Sequence, residues 1–492
     1  MRPLQKPIDD EDYPAPSHHS VGLTGSPQRR ASDRHSGSHR ASGHGSSSTN
    51  AILDGPVLTT MLRLAIPTII VLAAQTLVGV VETYYVGFLG TASLVGVALV
   101  FPFSMLMTMM SNGGIGGGVA SAIARSKGAG RHDDSDALVL HALILAIAFG
   151  LAFSAIAILA GPTIYSAFGG SAEAHQAALQ YSKYVFAAAV PVWIVNLCSA
   201  ALRGSGAVKV PAITTLVGSF LLVFLSPALI FGFGPVPRLG IAGAGVSVSL
   251  YYTIAAVVLV RHLLRGTSGL RLRRSKIEWR LFLDILRVGA LASISTVQLN
   301  LMVIIVTASV GFFGTTALAG YGMAARLDYA LIPILFGLGT SVLTMVGINS
   351  GAGNQARARR IAWTGVLTGS LFMEVVGALA AIFPHVWIGL FSSDSAVIEP
   401  GAAYLRIVGP FYGAVGATFI LGFAAQGVGK PKWPTLAGTS RLLIAGGIGW
   451  VCVARFGTNM HVLFAITAAA SVISVAICLT AALSGAIWKI GH

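Results

Sequence analysis

From residue 57 onward, apolar residues run along the chain in blocks of about 20 or more, and polar or charged residues gather in short breaks between them. At ~1.5 Å per residue, about 20 such residues in a helix cross a hydrocarbon core of ~30 Å. The pattern predicts twelve membrane-spanning helices, at 57–87, 92–121, 137–160, 178–203, 209–232, 241–264, 288–311, 317–348, 361–383, 401–425, 435–455 and 461–485. The expected fold class is therefore all-α, a polytopic membrane protein.

The breaks sort by charge. Arg125, Lys127 and Arg131, then Arg203 and Lys209, Arg265 to Arg280, Arg357, Arg359 and Arg360, Lys430 and Lys432, and finally Lys489 all fall on one side of the predicted bundle. The other side has few basic residues, among them Lys183, Arg238, Arg406 and Arg455. By the positive-inside bias, the basic loops and both termini are expected in the cytoplasm. The break over 270–285 mixes Arg271, Arg273, Arg274 and Lys276 with Trp279, Leu281 and Phe282, which predicts a linker helix lying on the inner leaflet.

Residues 1–52 differ in kind: rich in Ser, Gly, His, Arg and Pro, they offer too little apolar surface to offset the entropy of ordering, and a disordered cytoplasmic tail is expected. Its histidines (His18, His19, His35, His39 and His44) suit at most adventitious metal binding, and no continuous apolar run marks a cleaved leader.

The chain repeats itself. Val-Gly-Phe-Leu-Gly-Thr at 86–91 returns as Val-Gly-Phe-Phe-Gly-Thr at 310–315, and Arg63 and Arg287 share that spacing. With one residue less of offset, Gly-Ala-Gly at 128–130 falls on 351–353, Tyr181 and Lys183 on Tyr404 and Arg406, Gly204 and Gly206 on Gly427 and Gly429, and Pro211 on Pro434. Each copy holds six spans, an even number, so the halves must be parallel repeats related by an axis along the membrane normal. The expected organisation is an N-terminal lobe over 53–265, a linker over 266–286 and a C-terminal lobe over 287–486.

Composition agrees with a lipid environment: 54% of residues are hydrophobic and 10% charged, against ~45–50% and ~25% in soluble domains. The 59 glycines lie largely inside apolar runs, where small residues let helices approach closely. A net charge of +15 is spread over the loops, so no nucleic-acid partner is expected. Cys198, Cys452 and Cys478 lack any metal or redox spacing, and the glycines of 113–118 lack the Lys-Ser/Thr of a phosphate loop. Neither a cofactor nor a structural metal is expected, and no enzymatic constellation is present.

Acids inside spans are the most informative positions, because an ion at the bilayer centre costs at least ~2.5–3.5 kcal/mol and marks ion pathways. There are three: Glu82, Asp328 and Glu374. Gln75, Gly79 and Glu82 share one helix face, expected to line a central cleft. Asp328 stands near mid-depth in the eighth span beside Tyr321, Ala324 and Ala325, and Arg326 is too close in sequence to face it. Around Glu374 the face is small (Ser370, Gly377, Ala378, Ala381), which suits close packing as well as a pathway. Gln298 and Asn300 are candidates for substrate contact or for interhelical bonding. The aromatics Tyr85, Phe101, Trp193, Tyr251, Tyr321 and Tyr412 suit cationic substrates or the membrane interface.

At its repeated motifs the sequence resembles the multidrug and toxic compound extrusion family. The resemblance covers roughly 55–485 and rests on Glu-Thr-Tyr-Tyr-Val-Gly-Phe-Leu-Gly at 82–90, Leu-Arg-Gly-Ser-Gly at 202–206, Pro-Ala-Leu-Ile-Phe-Gly at 227–232, Val-Gly-Ile-Asn-Ser-Gly-Ala-Gly at 346–353 and Gln-Gly-Val-Gly-Lys-Pro at 426–431. It implies two six-helix lobes around a cleft and a cation-coupled exporter of organic cations and other amphipathic compounds. Where the family's first span carries an Asp, this chain has Glu82, which would inherit the coupling role. The Asn and Asp of the fifth span in one branch are here Leu222 and Ser226, and the seventh- and tenth-span acids of another branch are missing from 288–311 and 404–425. Sodium needs several converging oxygens, whereas a lone buried carboxylate suffices to carry a proton, so proton antiport is expected over sodium. The expected place is the plasma membrane, in bacteria the inner one, with a monomer sufficient. A lipid-linked saccharide flippase of related shape is the second reading, and a membrane-embedded enzyme the least favoured.

Overall fold

The computed structural model describes residues 43–167, 171–235 and 237–488. Among them, eleven helices are long and apolar enough to cross a bilayer, and a bent pair supplies a twelfth crossing. In order they are Val57–Gly87, Thr91–Gly128, His132–Ala167, the pair Ala172–Ala187 and Ala189–Gly204, Lys209–Phe231 and Ile241–Arg265 in the first half. The second half holds Trp279–Gly311, Thr315–Gly351, Gln355–Ile382, Ser395–Val428, Lys432–Phe456 and Met460–Leu483. Apolar side chains such as Leu151, Leu159, Phe220, Phe224, Leu367 and Leu371 stand exposed around the outside, where only lipid suits them.

The fourth span bends by 47° at Ala188. Pro191 has no N–H to give the carbonyl of Ala187, which removes one rung of the ladder at the bend. The tenth span breaks in the matching stretch, at the 3-10 turn Gly409–Phe411 that contains Pro410.

Glycines make the repeat visible as packing. A Cβ on Gly96, in the second span, would collide with Ala177 and the Ala178 amide of the fourth, and one on Gly320 would collide with the matching Val397 carbonyl and Gly401 amide of the tenth. Across the seam between the halves the pairing is reciprocal: Gly128 closes on the carbonyl of Ile348, and Gly351 on the carbonyl of Arg125. Ala124 and Gly347, equivalents of one another, touch directly, with only 2.7 Å from the place of a Gly347 Cβ to that of Ala124. A contact between equivalent positions lies on the two-fold axis that relates the copies.

The shift in repeat offset has a local cause. The second span contains a π-helical turn, Met110–Gly114, that the eighth lacks. Gly96 and Gly320 match before the turn, and Gly114 on Ser293 matches Gly337 on Ile69 after it. The turn therefore absorbs one added residue without rotating either end of the helix.

Two expectations change. No separate linker helix forms over 270–285: residues 270–278 are irregular, and the seventh span already starts at Trp279. Side chains at the start of the third span take over the hydrogen bonding, with Asp136 accepting from the Arg271 amide at 2.8 Å and His141 Nε2 from the Glu278 amide at 3.0 Å. Asp134 holds Arg280 at 2.7 Å and Asp133 holds Arg273 at 3.2 Å. The second change concerns the tail: Gly43–Asp54 is a helix, anchored by the buried Ile52 among side chains of the eighth and ninth spans. Arg357 donates to the carbonyls of Ile52 and Gly55, and Asn349 donates to that of Ile52. The remainder of the expected tail, 1–42, lies outside the described residues.

Candidate functional site

The two halves meet along a seam that is tight at the end bearing the basic loops. There Met61, Leu64 and Ala65 of the first span pack with Leu338, Val342 and Met345 of the eighth. Two hydroxyls at equivalent positions grip the opposite halves: Ser121 Oγ donates to the carbonyl of Gln426, and Thr344 Oγ1 donates to the carbonyl of Arg203 at 3.0 Å. Arg125 donates to Ser121 Oγ and pairs with Asp284 at 2.6 Å, adding the start of the seventh span to the same closure. The seam is closed at its basic end.

Glu82 projects into the first half rather than to lipid. Its Oε1 is buried, and the buried Ser226 hydroxyl is the hydrogen-bonding group beside it. Tyr181 of the fourth span is the next polar neighbour. The position at which the resemblance lacks a carboxylate is thus the wall that faces Glu82. Gln75, one face-turn inward, lines a small cavity of about 30 Å³ with Asn112, Asn196, Ser199, Arg203 and Thr215.

Asp328 lies inside the second half. The Tyr404 hydroxyl donates to its Oδ2 at 2.8 Å, and Tyr412 and Arg441 close around it. The rings of Tyr321 and Tyr404 meet edge to face at 5.2 Å. Arg326 takes no part: its guanidinium sits 5.3 Å from the Phe391 ring centre. Every partner of Asp328 belongs to its own half.

Glu374 has a backbone partner. Its Oε2 accepts from the Gly413 amide at 2.8 Å, just past the broken turn of the tenth span, where Pro410 interrupts the helical ladder. Gln298 donates to Thr439 Oγ1 at 2.7 Å, an interhelical bond within the second half. Asn300 donates to the Thr296 carbonyl at 2.9 Å and, across the seam, to Met109 Sδ at 3.2 Å. The six sequence candidates therefore form no single cluster: Glu82 and Gln75 share one wall, and Asp328, Glu374, Gln298 and Asn300 have separate surroundings. Among the described residues no group of three or more His, Cys, Asp or Glu side chains is placed to hold a metal ion.

Sequence reasoning missed Arg203, Asn112 and Arg441. Arg203 reads as a loop cation beside Gly204 and Gly206, yet it is tucked into the last turn of the fourth span and bonded to Asn112 Oδ1 at 2.7 Å. Setting each copy's residues against the other's would have exposed it, since its counterpart is Gln426.

The family model for MatE matches residues 67–228 and 292–451, one match in each half. The chain belongs to the MatE family. This MatE protein is thus an integral membrane transporter and not an enzyme, and its all-helical, two-lobed fold is that of its structural neighbours. Its relatives include the FAD transporter of Shewanella oneidensis, 23% identical over 402 residues, covering 80% of this chain and 88% of that protein. The probable multidrug resistance protein NorM of Thermotoga maritima is 26% identical over 381 residues (76% and 81% covered), and the multidrug export protein MepA of Staphylococcus aureus 23% over 407 (82% and 88%). A MOP superfamily transporter from Pyrococcus furiosus superimposes with a TM-score of 0.82 at 21% identity, covering 92% of this chain and 100% of that one. An outward-facing MATE family multidrug resistance transporter gives 0.79 at 24%, with 89% and 98% covered.

Proposed function

We propose that this MatE transporter exports amphipathic organic compounds, organic cations and drugs among them, in exchange for protons. The observation that carries the coupling is Glu82: an acid in the first span whose Oε1 is buried, faced by a serine hydroxyl where a second carboxylate would otherwise stand. A site with one carboxylate and a hydroxyl offers a proton a home and offers sodium too few oxygens. Relatives named for multidrug export support the substrate class, and one named for FAD transport widens it beyond cations.

The basic loops and both termini lie in the cytoplasm in this reading, so the closed end of the seam is the inner gate. The lobes, 53–265 and 287–486, are the rocking bodies, and one chain suffices for the cycle. In a bacterial cell the place is the inner membrane. Glu82 takes up a proton from outside as substrate leaves, the inner gate opens, and loss of the proton to the cytoplasm readies the cleft for another molecule. These are mutually exclusive occupancies coupled through one conformational equilibrium. Gln75 serves the substrate side. Asp328 is a buried support held by Tyr404 and Arg441, Glu374 holds the broken tenth span, and Gln298 and Asn300 bind helices together. Reconstitution in liposomes tests the reading: a pH gradient, acidic on the outer face, should drive export of a cationic dye, and a sodium gradient should not. Export driven by sodium alone overturns it.

A further inference from the structure

The cavity beside Gln75 contains a charge with no counter-charge. Arg203 donates one hydrogen bond, to Asn112 Oδ1 at 2.7 Å, and its Nε is buried without a partner. It belongs to no ion pair among the described residues. The lining offers Gln75, Asn196, Ser199 and Thr215 but no carboxylate. A half-buried guanidinium with an unpartnered Nε is costly unless paired, and its planar fork of N–H groups matches the two oxygens of a carboxylate or phosphate.

A purely architectural role for Arg203 is tested by the repeat itself. The carbonyl of Arg203 is gripped by Thr344 as that of Gln426 is gripped by Ser121, so the two positions do the same structural work in the seam. Yet in the second copy the places of Gln75, Asn196, Ser199, Arg203 and Thr215 are taken by Leu299, Phe419, Gly422, Gln426 and Gly438. The fold closes equally well without a charge there. Asn112, which orients the guanidinium, lies in the π-helical turn found in the second span and not in the eighth. Polarity in this cavity is therefore an addition to one copy and not a requirement of either.

We propose that the cavity is an oxyanion site, in which the Arg203 fork receives a carboxylate or phosphate-type group, assisted by the side chains of Ser199, Thr215 and Gln75. Phe336 of the eighth span forms its cover and Thr344 ties that span to Arg203, so parting of the inner gate uncovers the site toward the cytoplasm. This deepens the transport reading by admitting substrates that carry an anionic group alongside an apolar body. It rests on that reading only for the anion's origin.

The test is equilibrium binding of phenyl phosphate and of inorganic phosphate to the full chain in phosphatidylcholine nanodiscs, by calorimetry, with neutral benzyl alcohol as control. Phenyl phosphate should bind, Arg203→Gln should raise its Kd at least tenfold, and Arg203→Lys should fall between. Should Arg203→Gln not fold, Ser199→Phe, which fills the cavity with the guanidinium in place, should abolish binding. Competition by added phosphatidylglycerol identifies a lipid headgroup as the natural occupant; lack of competition identifies a soluble or transported anion. Both of these support the site. It is overturned if the wild type binds neither phosphate compound, if Arg203→Gln binds as tightly, or if benzyl alcohol binds equally well. No ion gradient is involved, so failure of proton-driven export leaves this result untouched.

Discussion

The closed end of the seam, the inner gate in the proposed orientation, is held in part by two hydrogen bonds that are copies of one another, and removing both should shift the transport cycle by a calculable amount. Interhelical hydrogen bonds in membranes contribute ~0.6 kcal/mol on average and up to ~1.7. Ser121→Ala and Thr344→Ala together remove the donors to the Gln426 and Arg203 carbonyls. The expected loss is about 1–2 kcal/mol from the inner-closed state alone, which raises the ratio of inner-open to inner-closed molecules roughly 5–30-fold. The Arg125–Asp284 pair survives the double change, and with Asp284 42% exposed it holds the gate by no more than ~1 kcal/mol. Spin labels at Ala129→Cys and Ala352→Cys, exposed equivalents at the inner ends of the second and eighth spans, report the separation. The double variant should populate a longer distance, and each single variant part of the free-energy shift, Ser121→Ala the larger part because it also removes an acceptor for Arg125. An unchanged distance distribution, or a shift from Ser121→Ala with none from Thr344→Ala, refutes this account of the closure.

Glu82→Gln should reduce pH-driven dye export to the level of empty liposomes while leaving insertion and Tm intact; undiminished export removes Glu82 from the coupling step. Glu374→Ala loses a charge-assisted bond to the Gly413 amide, about 1.5–3 kcal/mol, and should lower Tm by about 2–4 °C. Glu374→Gln, which keeps an acceptor, should restore most of this, and a defect confined to transport would contradict the structural role. Arg357→Ala combined with Asn349→Ala frees the carbonyls of Ile52 and Gly55, so limited proteolysis should cut ahead of Val57 faster than in the wild type; an unchanged rate means that Ile52 burial alone holds this helix.

The spans and the repeat were legible because lipid leaves few alternatives: a stretch such as Met460–Leu483 has no other way to satisfy its backbone and bury its side chains. Glu82 was legible for the same reason, since an acid amid apolar neighbours stands out in the chain. The hydrogen-bond partner of Glu374 was not, because it is a backbone amide freed by a break around Pro410 and distant in sequence. Arg203 was misread because a cation one residue from a span's end looks like a loop residue, and only the fold of the second span around Asn112 draws it inward. The irregular 270–278 defeated the amphipathic pattern because Asp136 and His141 meet its amides from another helix, which no local periodicity announces.

The π-helical turn Met110–Gly114 allows one half of the molecule to change while the joinery stays the same. Because the added residue is swallowed within a single turn, the helix stretches on either side keep the same neighbours as their twins. The interior of one half is then at liberty to acquire its own chemistry. What such a carrier accepts as cargo can differ from its sister halves' preferences without any retuning of how it opens and shuts.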